Sequence, residues 1–196
     1  EPDGSGKFIA AIIKAPIVRD AVMELLKSRD GLALGICNGF QALIKTGLVP
    51  FGEIRDVDAS APTLFHNRIA RHISRYAHTR VASVKSPWLS RMEVGQVHTI
   101  PLSHGEGRFT APASVIADLV KNGQVAFQYC DAAGQPSNAI EFNPNGSLEA
   151  IEGITSPCGR VLGKMGHSER TGANVAKNIP GNKHQPLFQG GVDYFA

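Results

Sequence analysis

The chain changes from strand-like to helix-like sequence within Leu32-Ala33-Leu34-Gly35-Ile36-Cys37-Asn38-Gly39-Phe40-Gln41. The first five of these residues form an apolar run without polar alternation, which is typical of a parallel strand covered on both faces. From Ala42 onward the apolar residues recur at helical spacing, and Gly47 is placed to end that helix. The pattern therefore predicts a central strand, a sharp turn at Cys37 and a helix in immediate succession.

A cysteine in such a turn has an environment that favours its thiolate form. The start of the following helix offers backbone N–H groups and the positive end of the helix dipole. Gly35 and Gly39 stand two residues before and after Cys37, and we expect them to let the turn bend without side-chain collisions. This is the sulfur counterpart of the serine hydrolase turn. Taken alone, the pattern fits a nucleophile and also a buried structural cysteine.

Outward from this turn, the sequence predicts one α/β domain. Two helices are expected over residues 7–27, with a break at Pro16, and another over residues 114–121. Strands are expected at residues 97–102, 125–129, 139–142, 148–154 and 160–165. The last forty residues look like coil that ends in a short apolar segment. A length of 196 residues suits one core of this kind.

The composition excludes several other classes of protein. Apolar residues make up 42% and charged residues 19%, which is typical of a globular chain rather than a disordered or fibrous one. No apolar run approaches the roughly 20 residues of a membrane-spanning helix. Three cysteines without a CxxC pair predict neither a disulfide framework nor a zinc site. We therefore expect a protein of the reducing cytoplasm.

A second segment with chemical potential is Gly166-His167-Ser168-Glu169-Arg170, directly after a strand-like run. Residues two apart in an extended segment point the same way, so the Glu169 carboxylate can orient the His167 ring. The other ring nitrogen can then face a nucleophile. Read alone, the triplet also fits a solvated loop, but together with Cys37 at another strand end it predicts a catalytic triad.

Four ordered motifs resemble the glutaminase domain of phosphoribosylformylglycinamidine synthase. They are Gly35 to Gln41, Pro101-Leu102-Ser103-His104-Gly105-Glu106-Gly107-Arg108-Phe109, Asn143-Pro144-Asn145-Gly146-Ser147, and Gly159 to Arg170. The resemblance implies a triad-type (class I) glutamine amidotransferase domain over residues 1–196. It also implies a flavodoxin-like three-layer α/β fold with a mostly parallel central sheet.

The resemblance also assigns roles by position. It makes Cys37 the nucleophile, His167 the base, Glu169 the group that orients it, Gln41 a glutamine-binding side chain, the backbone N–H of Asn38 an oxyanion donor, and His104 a residue near the substrate. Such domains cleave the glutamine amide through a cysteine thioester. They pass ammonia to an ATP-dependent synthetase that converts formylglycinamide ribonucleotide to formylglycinamidine ribonucleotide in purine biosynthesis.

The expected partners follow from that activity. They are glutamine and a synthetase domain or subunit, with ATP and Mg²⁺ in the synthetase part and neither a cofactor nor a metal ion in this chain. No membrane partner is expected. Residues 59–92 contain six Lys or Arg and no acidic residue, but lack the aromatic interleaving of a nucleic-acid site. This basic stretch is interpreted as a docking face towards the synthetase or as a solvated strand surface.

Two departures from the family pattern affect these expectations. The family often has Met-Pro-His-Pro-Glu-Arg where this chain has Met165-Gly166-His167-Ser168-Glu169-Arg170, so the spacing is kept while the two prolines that would stiffen the loop are replaced. Residues 1–5 resemble sequence just beyond the Gly-rich oxyanion loop of the family. The chain is therefore interpreted as the C-terminal fragment of a longer polypeptide, without the first strand and that loop, and we expect it to hydrolyse glutamine poorly on its own.

Two alternatives to a glutaminase remain at this point. One is another cysteine hydrolase of the same fold, such as a peptidase or a chaperone-like relative, which is not expected to share Gln41 or the His-x-Glu ending. The other is a non-catalytic module that keeps the shape of the domain, against which the intact Cys37, His167 and Glu169 argue.

Overall fold

The computed structural model describes residues 5–196 as alternating helices and strands. The helices are α1 (Ser5–Lys14), α2 (Pro16–Lys27), α3 (Asn38–Thr46), α4 (Leu48–Phe51), α5 (Ala113–Lys121) and α6 (Leu187–Asp193). The strands are β1 (Ala33–Ile36), β2 (Thr63–His66), β3 (Ile73–Val81), β4 (Val97–His104), β5 (Glu106–Thr110), β6 (Val125–Tyr129), β7 (Ile151–Thr155) and β8 (Val161–Lys164). Short 3₁₀ helices lie at Pro87–Leu89 and Leu148–Ala150.

Six of these strands form one mixed sheet, in the order β1-β8-β7-β6-β3-β4. The α/β class is confirmed, but the sheet is not mostly parallel: β1 pairs with β8 in parallel, and the other four pairs are antiparallel. The reason is visible between β7 and β8, which are joined by a turn too short for the helical crossover that parallel neighbours need. Strands β2 and β5 form a separate antiparallel pair.

Apolar clusters cover both faces of the sheet around the parallel pair. On one face Phe40 and Leu43 of α3 pack with Val161 of β8 and with residues of α5. On the other face Leu162 packs with Phe127 of β6 and Leu187 of α6. The unalternated strand before Cys37 is thus covered on both faces, as its sequence predicts. The prediction that this strand is central is wrong for residues 5–196, because β1 pairs there with β8 alone and forms the edge of the sheet.

Most predicted elements are confirmed, and one is wrong. The two N-terminal helices and their break at Pro16 are present, as are α3, α5 and the strands at 97–102, 125–129 and 160–165, within a few residues. Residues 139–142 form a turn rather than a strand, because the amides of Phe142 and Asn143 both donate to the carbonyl of Ala139. The strand expected from residue 148 begins at Ile151, after a 3₁₀ turn. The expectation for residues 1–5 concerns positions that lie mostly outside the described residues.

The basic stretch contains β2 and β3. From Ala77 to Val81 the residues of β3 alternate between buried and half-buried positions, and Arg75, nearer the start of the strand, is exposed. This arrangement matches the interpretation as a solvated strand surface, and docking towards a synthetase stays a prediction. None of the helices between residues 5 and 196 combines the length and the apolar character needed to cross a bilayer.

Candidate active site

Cys37 lies in the turn between β1 and α3, directly before the helix begins. Its backbone has φ 53° and ψ −103°, a conformation that non-glycine residues rarely adopt and that costs about 1–3 kcal/mol. The amide of Cys37 donates to the carbonyl of Lys164 in β8 at 2.8 Å, which continues the parallel pairing into the turn. The thiol is buried, with 1% of the residue exposed, and Sγ lies 3.6 Å from the carbonyl oxygen of Ser103.

The two glycines around Cys37 differ in what they do. A Cβ at Gly35 would lie 2.5 Å from Leu43 Cδ1 and 2.6 Å from the carbonyl carbon of Gly39, so Gly35 is required for the close approach of β1 and α3. A Cβ at Gly39 would meet nothing within 4 Å. The expectation that both glycines prevent side-chain collisions is therefore confirmed for Gly35 and wrong for Gly39.

His167 and Glu169 form the contact that their spacing predicts. Nδ1 of His167 lies 2.6 Å from Oε1 of Glu169, a distance that fits a ring N–H donating to a carboxylate. Within residues 5–196, Nε2 of His167 is buried and has no hydrogen-bond partner. The Glu169 side chain is 41% exposed and also lies near the guanidinium of Arg170. The carboxylate thus fixes one side of the ring and leaves Nε2 as the nitrogen that can accept a proton.

Strand β4 brings these two segments together. The Cys37 thiol lies against the carbonyl of Ser103, and the backbone amide of His167 donates to the carbonyl of Pro101 at 2.9 Å. Cys37 and His167 also follow the carboxyl ends of β1 and β8, which are parallel neighbours. The nucleophile and the base predicted from distant parts of the sequence therefore lie at one end of the sheet.

Asn38 and Gln41 both belong to the first turn of α3. The first intrahelical bond runs from the amide of Gln41 to the carbonyl of Cys37, so the Asn38 amide lies before the helical bonds begin and is suited to an anion. The Gln41 side chain is buried, and its Nε2 donates to the carbonyl of Glu106 at 2.8 Å. This contact fastens α3 to the start of β5, and the predicted binding of glutamine by Gln41 stays a prediction.

His104 is fully buried at the end of β4, near His167. Burial, which is the main cause, and the proximity of His167 and His72 together lower the pKa of His104 to about 4. The neutral ring shares a hydrogen bond of 3.0 Å between its Nδ1 and Oδ1 of Asn67, and Asn67 in turn donates to the backbone carbonyl of His104. Sequence reasoning missed Asn67. His104 is thus a neutral neighbour of the base at pH 7 rather than a second positive charge.

The Asn-Pro-Asn-Gly-Ser motif holds β5 in place from the opposite side. Nδ2 of Asn145 donates to the carbonyl of Gly107 at 2.8 Å and lies 3.1 Å from the hydroxyl of Tyr129. The hydroxyl of Ser147 accepts the amide N–H of Phe109 at 3.0 Å. These buried side chains brace the segment that contains His104 without themselves reaching Cys37 in any contact described.

Sequence reasoning also missed an ion pair beside the segment that contains His167. Nζ of Lys164 lies 3.3 Å from Oε1 of Glu152, and both side chains are fully buried. Burial lowers the pKa of Lys164, and the neighbouring carboxylate of Glu152 opposes that effect. The signal in the sequence was one basic and one acidic residue, each within a strand that is otherwise apolar, because charges in such strands are rarely buried without a partner.

The other two cysteines lie outside this arrangement. Burial raises the pKa of the Cys130 thiol to about 11, which matches an ordinary structural cysteine. Burial acts in the same direction on Cys158, but hydrogen bonds with Ser156 and Arg160 outweigh it and lower the pKa of that exposed thiol. Among residues 5–196, no group of three or more His, Cys, Asp or Glu side chains could hold a metal ion.

Comparison with known proteins places the chain among glutamine amidotransferases. It is 35% identical to the phosphoribosylformylglycinamidine synthase subunit PurQ of Moorella thermoacetica, over 94% of this chain and 71% of that protein. It is 38% identical to the subunit of the same name from Salinibacter ruber, over 80% of this chain and 60% of that protein. The matched part of the chain thus spans between three fifths and about seven tenths of the length of these two relatives.

A solved structure, that of PurLQS from Thermotoga maritima, is similar in fold. The match has a TM-score of 0.66 at 26% identity and covers 95% of this chain and 72% of that chain. The sequence profile of the CobB/CobQ-like glutamine amidotransferase domain matches residues 1–195. These comparisons confirm the resemblance carried by the four motifs, and the chain belongs to the CobB/CobQ-like glutamine amidotransferase domain family.

Proposed function

We propose that this chain hydrolyses the carboxamide of glutamine and delivers the ammonia to an ATP-dependent synthetase in the formation of formylglycinamidine ribonucleotide. One observation carries the proposal: the Nδ1 nitrogen of His167 is engaged by Glu169, while Nε2 is buried and unpartnered within residues 5–196. The strand that leads to His167 pairs in parallel with the strand that leads to Cys37. The names of the relatives from Moorella thermoacetica and Salinibacter ruber support the choice of synthetase.

The reaction has two halves that use the same two side chains. The Cys37 thiolate attacks the amide carbon of glutamine, the C–N bond breaks, and His167 gives its proton to the leaving ammonia. Water then loses a proton to Nε2 of His167 and attacks the thioester carbon. The C–S bond breaks, the thiolate returns, and the products are one glutamate and one ammonia for each glutamine and water consumed.

The remaining site residues assist these steps. The start of α3 favours the thiolate, and the Asn38 amide supplies one hydrogen bond to the oxyanion that forms on the substrate carbonyl. Glu169 stabilises the imidazolium that His167 becomes after it accepts a proton. Gln41 binds glutamine through the part of its amide that does not contact Glu106. ATP and Mg²⁺ act in the synthetase, and the reaction takes place in the cytoplasm.

The alternative of a peptidase on the same fold fits the arrangement less well. The Cys37 thiol is buried and Asn38 is half-buried, and Gln41 fills the space beside α1, where a Cβ at Gly6 would come within 2.6 Å of its side chain. A site with so little room around the nucleophile suits a small amino acid better than a polypeptide. Hydrolysis of glutamine without hydrolysis of peptide substrates is the expected distinction.

The test is Cys37→Ala in the complete protein, with Cys158→Ala as the matched control. We expect Cys37→Ala to abolish glutamine-dependent synthesis and to leave ammonia-dependent synthesis measurable, because only the first needs the thioester. Cys158→Ala should keep both activities. Cys158 is a demanding control, since its exposed thiol has a lowered pKa of its own.

Covalent labelling gives a second readout of the same proposal. A diazo-oxo analogue of norleucine, which resembles glutamine, should label Cys37 once per chain and leave Cys158 unlabelled, as read by peptide mass spectrometry. Loss of both synthetic activities in Cys37→Ala, or labelling of Cys158 instead of Cys37, would contradict the assigned nucleophile.

A further inference from the structure

Lys164 ends β8 with its charged group in the interior of the domain. Its side chain is fully buried, and Nζ lies 2.7 Å from the carbonyl oxygen of Gly166, 2.9 Å from Oγ of Ser168 and 3.3 Å from Oε1 of Glu152. An ammonium group has three N–H donors, and these are three oxygen acceptors. The site is therefore built for a lysine ammonium rather than merely tolerant of one.

Two of the three acceptors belong to the residues on either side of His167. Lys164 contacts the backbone oxygen of Gly166 before it and the hydroxyl of Ser168 after it. The Glu152 carboxylate, which pairs with Lys164, also accepts the amide N–H of Gly166. Both ends of the short segment that contains His167 are thus tied to one buried ion pair.

The same ties extend to a second part of the chain. The hydroxyl of Ser168 donates to Oε1 of Gln185, which is buried, and Nε2 of Gln185 lies 3.4 Å from Oγ1 of Thr79 in β3. The loop therefore contacts β7 and β8 directly and is linked to β3 through Gln185. These hydrogen bonds restrict the backbone of the loop, which would otherwise be free to move.

The segment around His167 is intrinsically flexible, so the hydrogen bonds to Lys164 and Glu152 are needed to fix its conformation. Gly166 is the residue type with the greatest backbone freedom. A Cβ at this position would lie 2.8 Å from Oε1 of Glu152 and 3.0 Å from Nζ of Lys164, so the ion pair packs directly against the loop backbone. The close packing of the ion pair against the loop therefore requires glycine at position 166, and the same packing restricts the freedom of that glycine.

Stability alone does not account for a buried ion pair here. Replacing both partners of such a pair with uncharged residues of similar size is often neutral or stabilising, because desolvation of the charges offsets their attraction. The hydrogen bonds of the Lys164–Glu152 pair are directed at the segment around the catalytic base. The pair therefore selects one conformation of that segment, even if it adds little net stability.

We propose that Lys164, paired with Glu152, is a positioning residue that holds the 166–168 segment so that His167 presents Nε2 to the reacting atoms. The inference deepens the proposed glutaminase function and rests on it. Lys164 does not touch the substrate. Its effect is on the alignment of the base, and an aligned base raises turnover rather than binding of the substrate.

The experiment uses the complete protein and three variants. Lys164→Met removes the ties but leaves the Glu152 charge buried without its cation, so it is expected to be less stable as well as less active. The double variant Lys164→Met with Glu152→Gln removes that charge as well and keeps an acceptor for the Gly166 amide. Lys183→Met is the matched control, because Nζ of Lys183 also donates to a backbone carbonyl, that of Gly181, at the surface.

We expect the melting temperature of the double variant to recover towards that of the wild type while its kcat for glutamine stays about 10-fold to 100-fold lower. The KM for glutamine should change less than about threefold. Ammonia-dependent synthesis should keep its wild-type rate, and so should the Lys183→Met variant in both reactions. If kcat recovers together with the melting temperature, Lys164 has only a structural function and the proposal is wrong.

Alkylation of Cys37 by iodoacetamide separates this proposal from the proposed function. The rate reports the thiolate fraction, which depends on an aligned His167, and it needs no glutaminase activity. We expect alkylation of Cys37 to be several-fold slower in the double variant, with Cys158 as the internal reference. If the wild type hydrolyses no glutamine but the variant still slows alkylation of Cys37, the glutaminase proposal fails and the positioning by Lys164 stands. An unchanged alkylation rate overturns the positioning.

Discussion

The cysteine turn, residues 35–39, and the histidine loop, residues 164–169, lie at the same end of the sheet but are held by different means. The cysteine turn is fixed by backbone geometry and by packing between β1 and α3, within ten residues of Cys37. The histidine loop is fixed by hydrogen bonds to Glu152, Pro101 and Gln185, which are distant in sequence. The packing that shapes the cysteine turn is thus local in sequence, although the Cys37 amide also donates to Lys164, whereas the hydrogen bonds that hold the histidine loop come from distant parts of the chain.

This difference has a consequence for how each region fails. The cysteine turn tolerates no added volume at Gly35, because Gly35 is the point at which the strand and the helix touch. The histidine loop depends instead on polar partners, so loss of a single acceptor or donor loosens it without any collision. We therefore expect steric substitutions to damage the first region and isosteric substitutions of polar groups to damage the second.

The largest effect is expected from Gly35→Ala in the cysteine turn. The new Cβ would lie 2.5 Å from Leu43 and 2.6 Å from the Gly39 backbone, so the strand and the helix must move apart. Overpacking of this kind costs about 1–3 kcal/mol of unfolding free energy. A displaced thiol should also lower kcat for glutamine by about 10²-fold or more. Thermal unfolding and glutamate release measure the two effects.

Gly39→Ala is the control for this prediction. Its Cβ would enter open space within α3, and alanine favours a helix over glycine by about 0.5–1 kcal/mol. The melting temperature of Gly39→Ala should therefore be equal to or above that of the wild type. If both glycine variants destabilise the protein equally, close packing at Gly35 is not what fixes the turn.

The same contrast explains how much could be predicted from the sequence. The strand, turn and helix around Cys37 and the contact of His167 with Glu169 follow from local spacing, and both are present in the fold. The buried partners Glu152 and Asn67 lie far along the chain from the residues they hold, and no local pattern connects them. The sheet pairing was also mispredicted, although the short turn between β7 and β8 already indicated an antiparallel pair.

A smaller effect is expected from Glu169→Gln in the histidine loop. In this variant the amide oxygen of the new side chain at position 169 can still accept the Nδ1–H of His167, but it lacks the negative charge that stabilises the imidazolium. Because Glu169 is 41% exposed, water replaces part of that charge effect. We expect kcat for glutamine to fall about 10-fold to 10²-fold, with a KM within about threefold of the wild type.

Steady-state kinetics with glutamine as the varied substrate measures this split between kcat and KM. Glu93→Gln, which changes an exposed glutamate in the connection between β3 and β4, is the matched control and should leave both constants unchanged. An unaltered kcat in Glu169→Gln would remove Glu169 from the triad. A large rise in KM would instead assign it to substrate binding.

The smallest effect, a change in the pH dependence of stability, is expected from substitution of His98, which lies in β4 near Lys164. His98 is fully buried, and neither ring nitrogen has a hydrogen-bond partner within residues 5–196. Burial, which is the main cause, and the positive charges of Lys164 and His184 together lower the pKa of His98 to about 4. In the unfolded chain an ordinary histidine has a pKa of about 6.5. Between these two values the unfolded state binds the extra proton, so stability is lost as the pH falls from about 6.5 towards 4.

His98→Leu should therefore flatten the pH dependence of stability. Replacing an unpartnered buried polar ring with an apolar side chain costs little at pH 7, and it removes about 1–2 kcal/mol of the loss between pH 7 and pH 5. Unfolding by urea at the two pH values measures the difference, with His66→Leu on the exposed end of β2 as the control. His104, whose pKa is also lowered to about 4, keeps part of the slope in both variants. If the unfolding free energy of His98→Leu depends on pH as strongly as that of the wild type, His98 takes up its proton in the folded state as readily as in the unfolded chain. The polar groups around Lys164 would then be open to water rather than closed off from it.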